Sequence, residues 1–206
     1  MTRIKVCGIT RVEDALVAVR CGVDAIGLVF YKQSPRYVTT MQAKQLVDSI
    51  PPFVTIVGLF VNSEAKIIRE VMACVSLDML QFHGDESPEF CEQFSLPYLK
   101  AIRVKAGMDL LQYACDFHSA KGLLLDAHVD GIHGGTGIGF DWTLIPRELP
   151  LPVILSGGLT SVNVAAGIKQ VQPYAVDVSS GVEASKGIKD AAKIAMFINK
   201  VKRIDV

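Results

Sequence analysis

Cys7 closes the apolar run Ile4-Lys5-Val6-Cys7-Gly8, and Asp126 closes Leu123-Leu124-Leu125-Asp126. A thiol and a carboxyl group at two such ends make a candidate base and acid, since each can pass a proton to or from a substrate held between them. Each also has a plainer reading: free cysteine is among the most often buried residues, and an aspartate commonly serves as an N-cap or a loop carboxylate. Strand alternation groups Lys5 with Cys7 on one face, and a nearby cation lowers a thiol's pKa. The leucines before Asp126 favour its neutral form, which would raise its pKa and leave it a proton to donate.

Two further run ends suit an anion. Ser156-Gly157-Gly158 follows Val153-Ile154-Leu155, and Ser179-Ser180-Gly181 follows Ala175-Val176-Asp177-Val178. Glycines let backbone N–H groups approach a phosphate closely. Gly157, Gly158, Ser180 and Gly181 are therefore candidate phosphate-binding residues, against the alternative of two tight turns. Arg36, in Ser34-Pro35-Arg36-Tyr37, offers a planar cation for a carboxylate, although a solvated surface arginine is the commoner outcome. His83 follows Gln81-Phe82 and either lines the same mouth or is a hydrogen-bonded structural histidine. Asp177, grouped with Ala175 and Ser179, is expected to pair with Lys5, as an unpaired buried charge costs several kcal/mol; the pair is structural, functional or both. Gly134-Gly135-Thr136-Gly137-Ile138-Gly139 reads as a flap or as an ordinary glycine-rich turn. His128, Asp130 and His133 match no standard ligand spacing, so no metal is expected.

These residues need a scaffold that brings run ends together. Apolar runs at 3–7, 25–30, 54–60, 78–82, 98–103, 122–126, 152–156 and 174–178 predict eight strands. Continuous apolar runs are typical of parallel strands buried on both faces. Helices are predicted between them: Val12 to Cys21 with Gly22 as C-cap, Met41 to Ile50 before Pro51-Pro52, Glu64 to Val75 after Asn62-Ser63, and one starting at Pro88. Others are predicted at about 107–119, from Val162 to Val171 after Thr160-Ser161, and from Ile188 to Arg203. Eight units of about 25 residues fit a single (β/α)8 TIM barrel of the α/β class spanning 1–206, with its chemistry at the C-terminal strand ends. A doubly wound sheet is the alternative, but Cys7-Gly8-Ile9-Thr10-Arg11 lacks the G-x-G-x-x-G expected after its first strand.

Composition narrows the partners. The 206 residues are half hydrophobic, and 21 lysines and arginines balance 21 aspartates and glutamates. Such balance argues against nucleic acid and an anionic membrane surface and favours a small ligand, and the glycine turns after the seventh and eighth runs make it a phosphorylated one. Five scattered cysteines without a C-x-x-C read as free thiols in a reducing cytoplasm. The longest apolar stretches, about 6–8 residues, fall short of the roughly 18 that suggest a membrane span. Helix patterns do not separate monomer from homodimer, because every barrel helix buries one side.

Together, six segments resemble the phosphoribosylanthranilate isomerase family of tryptophan biosynthesis: Lys5 to Thr10, Ser34 to Val38, Gly58 to Asn62, Gln81 to Gly84, Pro152 to Leu159 and Val176 to Glu183. The resemblance runs nearly end to end. It implies Cys7 as general base, Asp126 as general acid, Arg36 on the anthranilate carboxylate, and the glycines near 157–158 and 180–181 on the phosphate. It also implies an Amadori rearrangement of N-(5-phosphoribosyl)anthranilate without a cofactor. His83 and Asp177 are taken as further substrate-binding residues. One departure is Ile138, where that family commonly has Lys or Gln, and it suggests a looser flap. The histidine-pathway isomerase of the same chemistry is a competing reading, but an aspartate is expected at the first strand end there. An inactive barrel that only binds a phosphorylated metabolite is another, opposed by Cys7, Asp126 and Arg36.

Overall fold

Short β-branched and leucine-rich runs become strands because hydrocarbon covers both of their faces. The computed structural model describes residues 1–126 and 142–204. The run Gly134–Gly139 and the residues His128, Asp130 and His133 lie outside the described residues. Eight parallel strands, β1 (Arg3–Cys7), β2 (Ala25–Val29), β3 (Thr55–Phe60), β4 (Met79–Phe82), β5 (Tyr98–Arg103), β6 (Gly122–Asp126), β7 (Val153–Ser156) and β8 (Ala175–Val178), pair in sequence order. The barrel closes where β1 meets β8, with Lys5 in register with Asp177. Each strand lies within or close to its expected run.

Alternation divides the core. One set of strand residues, including Ile4, Val6, Ile26, Leu28, Leu123, Leu125 and Val176, packs outward with the helices in one large cluster. The other set faces the lumen. There Leu99, Ala101, Leu124, Ile154 and Ala175 form one apolar cluster, and Cys7, Val29 and Leu59 form another. Lys5, Gln81 and Asp177 are buried polar residues on the same lumen-facing registers. Polar groups filling a barrel must find partners, and their placement sets up the site above.

The helices are α1 (Val12–Cys21), α2 (Thr40–Asp48), α3 (Ala65–Cys74), α4 (Pro88–Glu92), α5 (Leu110–Asp116), α6 (Val164–Val171) and α7 (Ala191–Lys202). Gly22 closes α1 in the left-handed region, with φ 86°, as a C-cap should. Several helix starts differ from expectation. Thr39 opens α2 through a capping box with Gln42, ahead of the expected Met41. Asp109 caps α5, which is shorter than 107–119. Asn163, not Thr160 or Ser161, stands at the N-cap of α6, and its side chain instead braces the preceding turn. The largest difference is at the C-terminal end: Glu183–Ser185 (β9) and Ile188–Lys189 (β10) form a small antiparallel pair, so the last helix starts at Ala191. Asp190 caps that helix by accepting from the Lys193 backbone N–H. Among the described residues, the link from β6 to β7 carries only a 3-10 turn at Trp142–Leu144.

Candidate active site

Strand ends converge on a cavity of about 600 Å³ lined by Cys7, Arg36, His83, Asp126, Gly157, Gly158, Asp177 and Ser180, among others. That volume suits a ligand of substrate size. Gly181 lies in the same turn as Ser180, the 3-10 turn Ser180–Val182, and a Cβ there would collide with the Leu159 carbonyl oxygen. The sequence-predicted residues are thus brought to one mouth, from six different strand ends.

Cys7 is 5% exposed at the end of β1. Its thiol fits because the facing residue is Gly27, where a Cβ would stand 2.7 Å from the sulfur and 3.1 Å from Lys5 Nζ. Lys5 Nζ donates to Asp177 Oδ1 at 2.9 Å, both side chains being 5% exposed. Burial works against the Lys5 ammonium, yet Asp177 and Cys7 outweigh it and raise its pKa. The expected lowering of the Cys7 pKa is not what results. Burial pushes the thiol up, and the opposing pulls of Lys5 and Lys189 do not cancel it. The sequence placed the cation correctly but gave no measure of how thoroughly Gly27, Val29 and Leu59 enclose the sulfur.

Asp126 is more open, its side chain 19% exposed. His83 Nε2 lies 3.2 Å from Asp126 Oδ2, and His83 Nδ1 lies 2.9 Å from Gln81 Nε2. With the Gln81 amide donating to Nδ1, the imidazole proton sits on Nε2 and points at Asp126 Oδ2. His83 therefore reaches the mouth and is hydrogen-bonded, combining the two readings offered for it.

Arg36 crosses the end of β1 over Gly8, where a side chain would collide with the arginine's Cδ. Its Nε and Nη2 donate to Glu183 Oε1 and Oε2 at 2.6 and 2.8 Å. This fork is the geometry that arginine alone provides. It leaves Nη1 for a ligand. Glu183 also accepts from Lys189 Nζ at 3.0 Å. Burial alone would raise the Glu183 pKa, but Arg36 and Lys189 hold it below the usual carboxylate range.

The turn after β7 is built for close approach. Gly157 and Gly158 take φ values of 86° and 63°, conformations that favour glycine. Asn163 braces it, donating to the Gly158 carbonyl at 3.0 Å and accepting from the Thr160 N–H at 2.8 Å. Beside it, after β8, Lys189 Nζ donates to the carbonyl of Ser179 at 3.1 Å. The described residues contain no cluster of three or more ligating side chains with metal-site geometry.

The family model described as N-(5'phosphoribosyl)anthranilate (PRA) isomerase matches residues 4–200. The chain belongs to the phosphoribosylanthranilate isomerase family. It is 60% identical over 199 residues to the N-(5'-phosphoribosyl)anthranilate isomerase of Nitrosospira multiformis, covering 97% of this chain and 96% of that protein. Its likeness to the isomerase of Pseudomonas syringae pv. tomato is 59% over 199 residues, covering 97% of each. Among solved structures, the Thermotoga maritima phosphoribosyl anthranilate isomerase superposes with a TM-score of 0.91 at 42% identity, covering 98% of this chain and 100% of that one. A structure of phosphoribosyl anthranilate isomerase in complex with reduced 1-(o-carboxyphenylamino)-1-deoxyribulose 5-phosphate gives a TM-score of 0.88 at 41% identity, with 98% and 100% covered.

Three polar neighbours of the site were not singled out from the sequence: Gln81, Glu183 and Lys189. Gln81 and Glu183 lie inside segments that carried the family resemblance. Gln81 is fully buried, and its side-chain oxygen has no partner among the described residues. Lys189 left no usable signal, because a lysine beside an amphipathic pattern reads as a solvated face.

Proposed function

We propose that Cys7 and Asp126 are the base and acid of an Amadori rearrangement in this cavity, with Arg36 on the substrate's carboxylate and the turns at Gly157–Gly158 and Ser180–Gly181 on its phosphate. The enzyme is an aldose–ketose isomerase of tryptophan biosynthesis and converts N-(5'-phosphoribosyl)anthranilate to 1-(2-carboxyphenylamino)-1-deoxyribulose 5-phosphate. The observation that carries the assignment of roles is that Cys7, Arg36, Asp126, Ser180 and the Gly157–Gly158 turn line one cavity.

The chemistry needs two separated groups. A proton from the Asp126 carboxyl goes to the furanose ring oxygen as the C1–O bond breaks, and the amine lone pair closes a Schiff base. Cys7 gives its thiol proton to solvent and, as the thiolate, takes the C2 proton, and the C2–H electrons flow to the nitrogen to give an enolamine. Tautomerisation of the enolamine gives the ketone. The amine nitrogen is the electron sink, so the reading calls on no cofactor and no metal. Burial that keeps Cys7 protonated at rest also makes its thiolate the stronger base, while Lys5 and Lys189 favour the ionised form. His83 Nε2–H is placed to support the carboxylate left after Asp126 gives up its proton. Asp177 serves beneath, holding Lys5 under Cys7.

Among the described residues no helix is long and apolar enough to cross a membrane. All five cysteines are free thiols, which supports a cytoplasmic location. We place the whole chain, 1–206, in one barrel domain, acting as monomer or homodimer on a small phosphorylated substrate. The test of the roles follows the loss of anthranilate-type fluorescence on turnover. Cys7→Ser and Asp126→Asn are each expected to lower kcat by about 10²–10⁴-fold with the circular dichroism unchanged. Near-normal turnover in both variants would falsify the acid–base assignment.

A further inference from the structure

One buried ammonium lies between the two ends of the cavity that receive anions in the reading above. Lys189 is 3% exposed, and its side chain is wholly enclosed. From Nζ, one pair of hydrogen bonds runs to the carbonyl and hydroxyl of Ser179, at 3.1 and 3.4 Å, where the turn after β8 begins. A third runs at 3.0 Å to Glu183 Oε1, the oxygen that also accepts from Arg36 Nε. The lysine's own backbone is fixed, since its N–H donates at 3.0 Å to Asp14 Oδ2 on α1, and Asp14 is itself paired with Arg11.

The charges around this ammonium do not balance. Glu183 is a single carboxylate facing two cations, Arg36 and Lys189. The trio therefore carries one surplus positive charge, and its exposed member is Arg36 at the cavity wall. Without Lys189, the Glu183 carboxylate would be matched by Arg36 alone, and the pull of Arg36 on an incoming anion would be cancelled. The Ser179 turn would lose its brace in the same step.

We propose that Lys189 is a positioning residue that serves both anion-binding ends of the substrate site, bracing the turn after β8 and freeing Arg36 for a carboxylate. The inference rests on the reading of Arg36 and of the Ser180–Gly181 turn as anion-binding groups. A substrate with a carboxylate at one end and a phosphate at the other is held through a single buried charge that touches neither.

The test is Lys189→Met, with kcat, KM and the competitive inhibition constants of inorganic phosphate and of anthranilate measured separately. KM and both inhibition constants are expected to rise about tenfold or more, the scale of losing a charge-assisted hydrogen bond, with a smaller fall in kcat because the same ammonium also favours the Cys7 thiolate. A loss confined to phosphate reduces Lys189 to a prop for one turn and overturns the proposal, as does a loss confined to anthranilate, or a fall in kcat at constant KM. Should the methionine variant fail to fold, Lys189→Gln keeps a buried donor towards Glu183 and Ser179 without the charge, and the same double loss is expected. Wild-type enzyme indifferent to both probes overturns the anion-site reading itself. Wild-type enzyme inhibited by both, with the variants unchanged, overturns only the role of Lys189.

Discussion

The two sides of the cavity solve the placement of a proton-transfer group differently. On the side of β1, β2 and β8, Cys7 stands in a dense array of buried charges, with Lys5 paired to Asp177 and Arg36 and Lys189 paired to Glu183. On the side of β4 and β6, among the described residues, Asp126 leans on the His83 imidazole, which leans on the Gln81 amide, and the carboxyl group reaches the open mouth. The base side is fixed by electrostatics out of water, whereas the acid side is fixed by directional hydrogen bonds near water. A thiol that must take a proton from carbon gains from exclusion of solvent. A carboxyl that must be reprotonated each turnover gains from contact with it.

The contrast is sharpest in stability. Asp177→Asn leaves the Lys5 ammonium buried without its counter-charge, and a loss of about 3–5 kcal/mol is expected in urea unfolding. His83→Ala removes two hydrogen bonds on the open side and is expected to cost about 1–2 kcal/mol. Equal losses for the two variants would erase the distinction drawn between the sides.

Thiol reactivity tests the enclosure of Cys7 directly. Cys74 and Cys115 are exposed, while Cys7 is buried with its pKa pushed up. Iodoacetamide at neutral pH, read by peptide mass spectrometry, is expected to label Cys74 and Cys115 at least about tenfold faster than Cys7, because the thiolate is the reactive form. Cys7 labelling first would mean that the base side is open too.

The smallest expected effect is a slope. Arg36 and Lys189 hold Glu183 below its ordinary 4.5, so its contribution to stability is present above that pH and drains away as the pH falls towards the folded-state value. Unfolding free energy measured from pH 6 downwards is expected to fall more steeply below about 4.5 in the wild type than in Glu183→Gln. Parallel curves would show that the cluster does not favour the ionised carboxylate.

Much of the base side was legible in the sequence, and some of it was not. Lys5, Cys7 and Asp177 could be grouped because strand alternation is local and β1 must meet β8 in any closed barrel. Arg36 could be named, but its Glu183 partner lies 147 residues away, and nothing in either segment announces the pairing. Lys189 was hidden by a wrong element: the pattern after Gly187 suited a helix from Ile188, whereas Ile188–Lys189 pairs with the preceding strand and turns the lysine inwards. Strand positions were read well because a doubly buried strand carries its own signal. Helix starts were read less well because capping depends on which of several polar residues finds the free N–H groups, as Thr39 and Asp109 show. The direction of the Cys7 pKa was misjudged because proximity is visible in a sequence and burial depth is not.

The pairing of Lys5 with Asp177 joins residues 172 positions apart, from the first strand and the last. A ribosome makes Lys5 172 residues before Asp177. For most of that interval the ammonium has no counter-charge and belongs in water, which holds β1 away from any premature dry core. Only arrival of β8 makes its burial favourable, and the same event seats Cys7. Arrival of β8, closure of the cylinder and assembly of the base therefore coincide, so a chain without β8 does not present a working thiol.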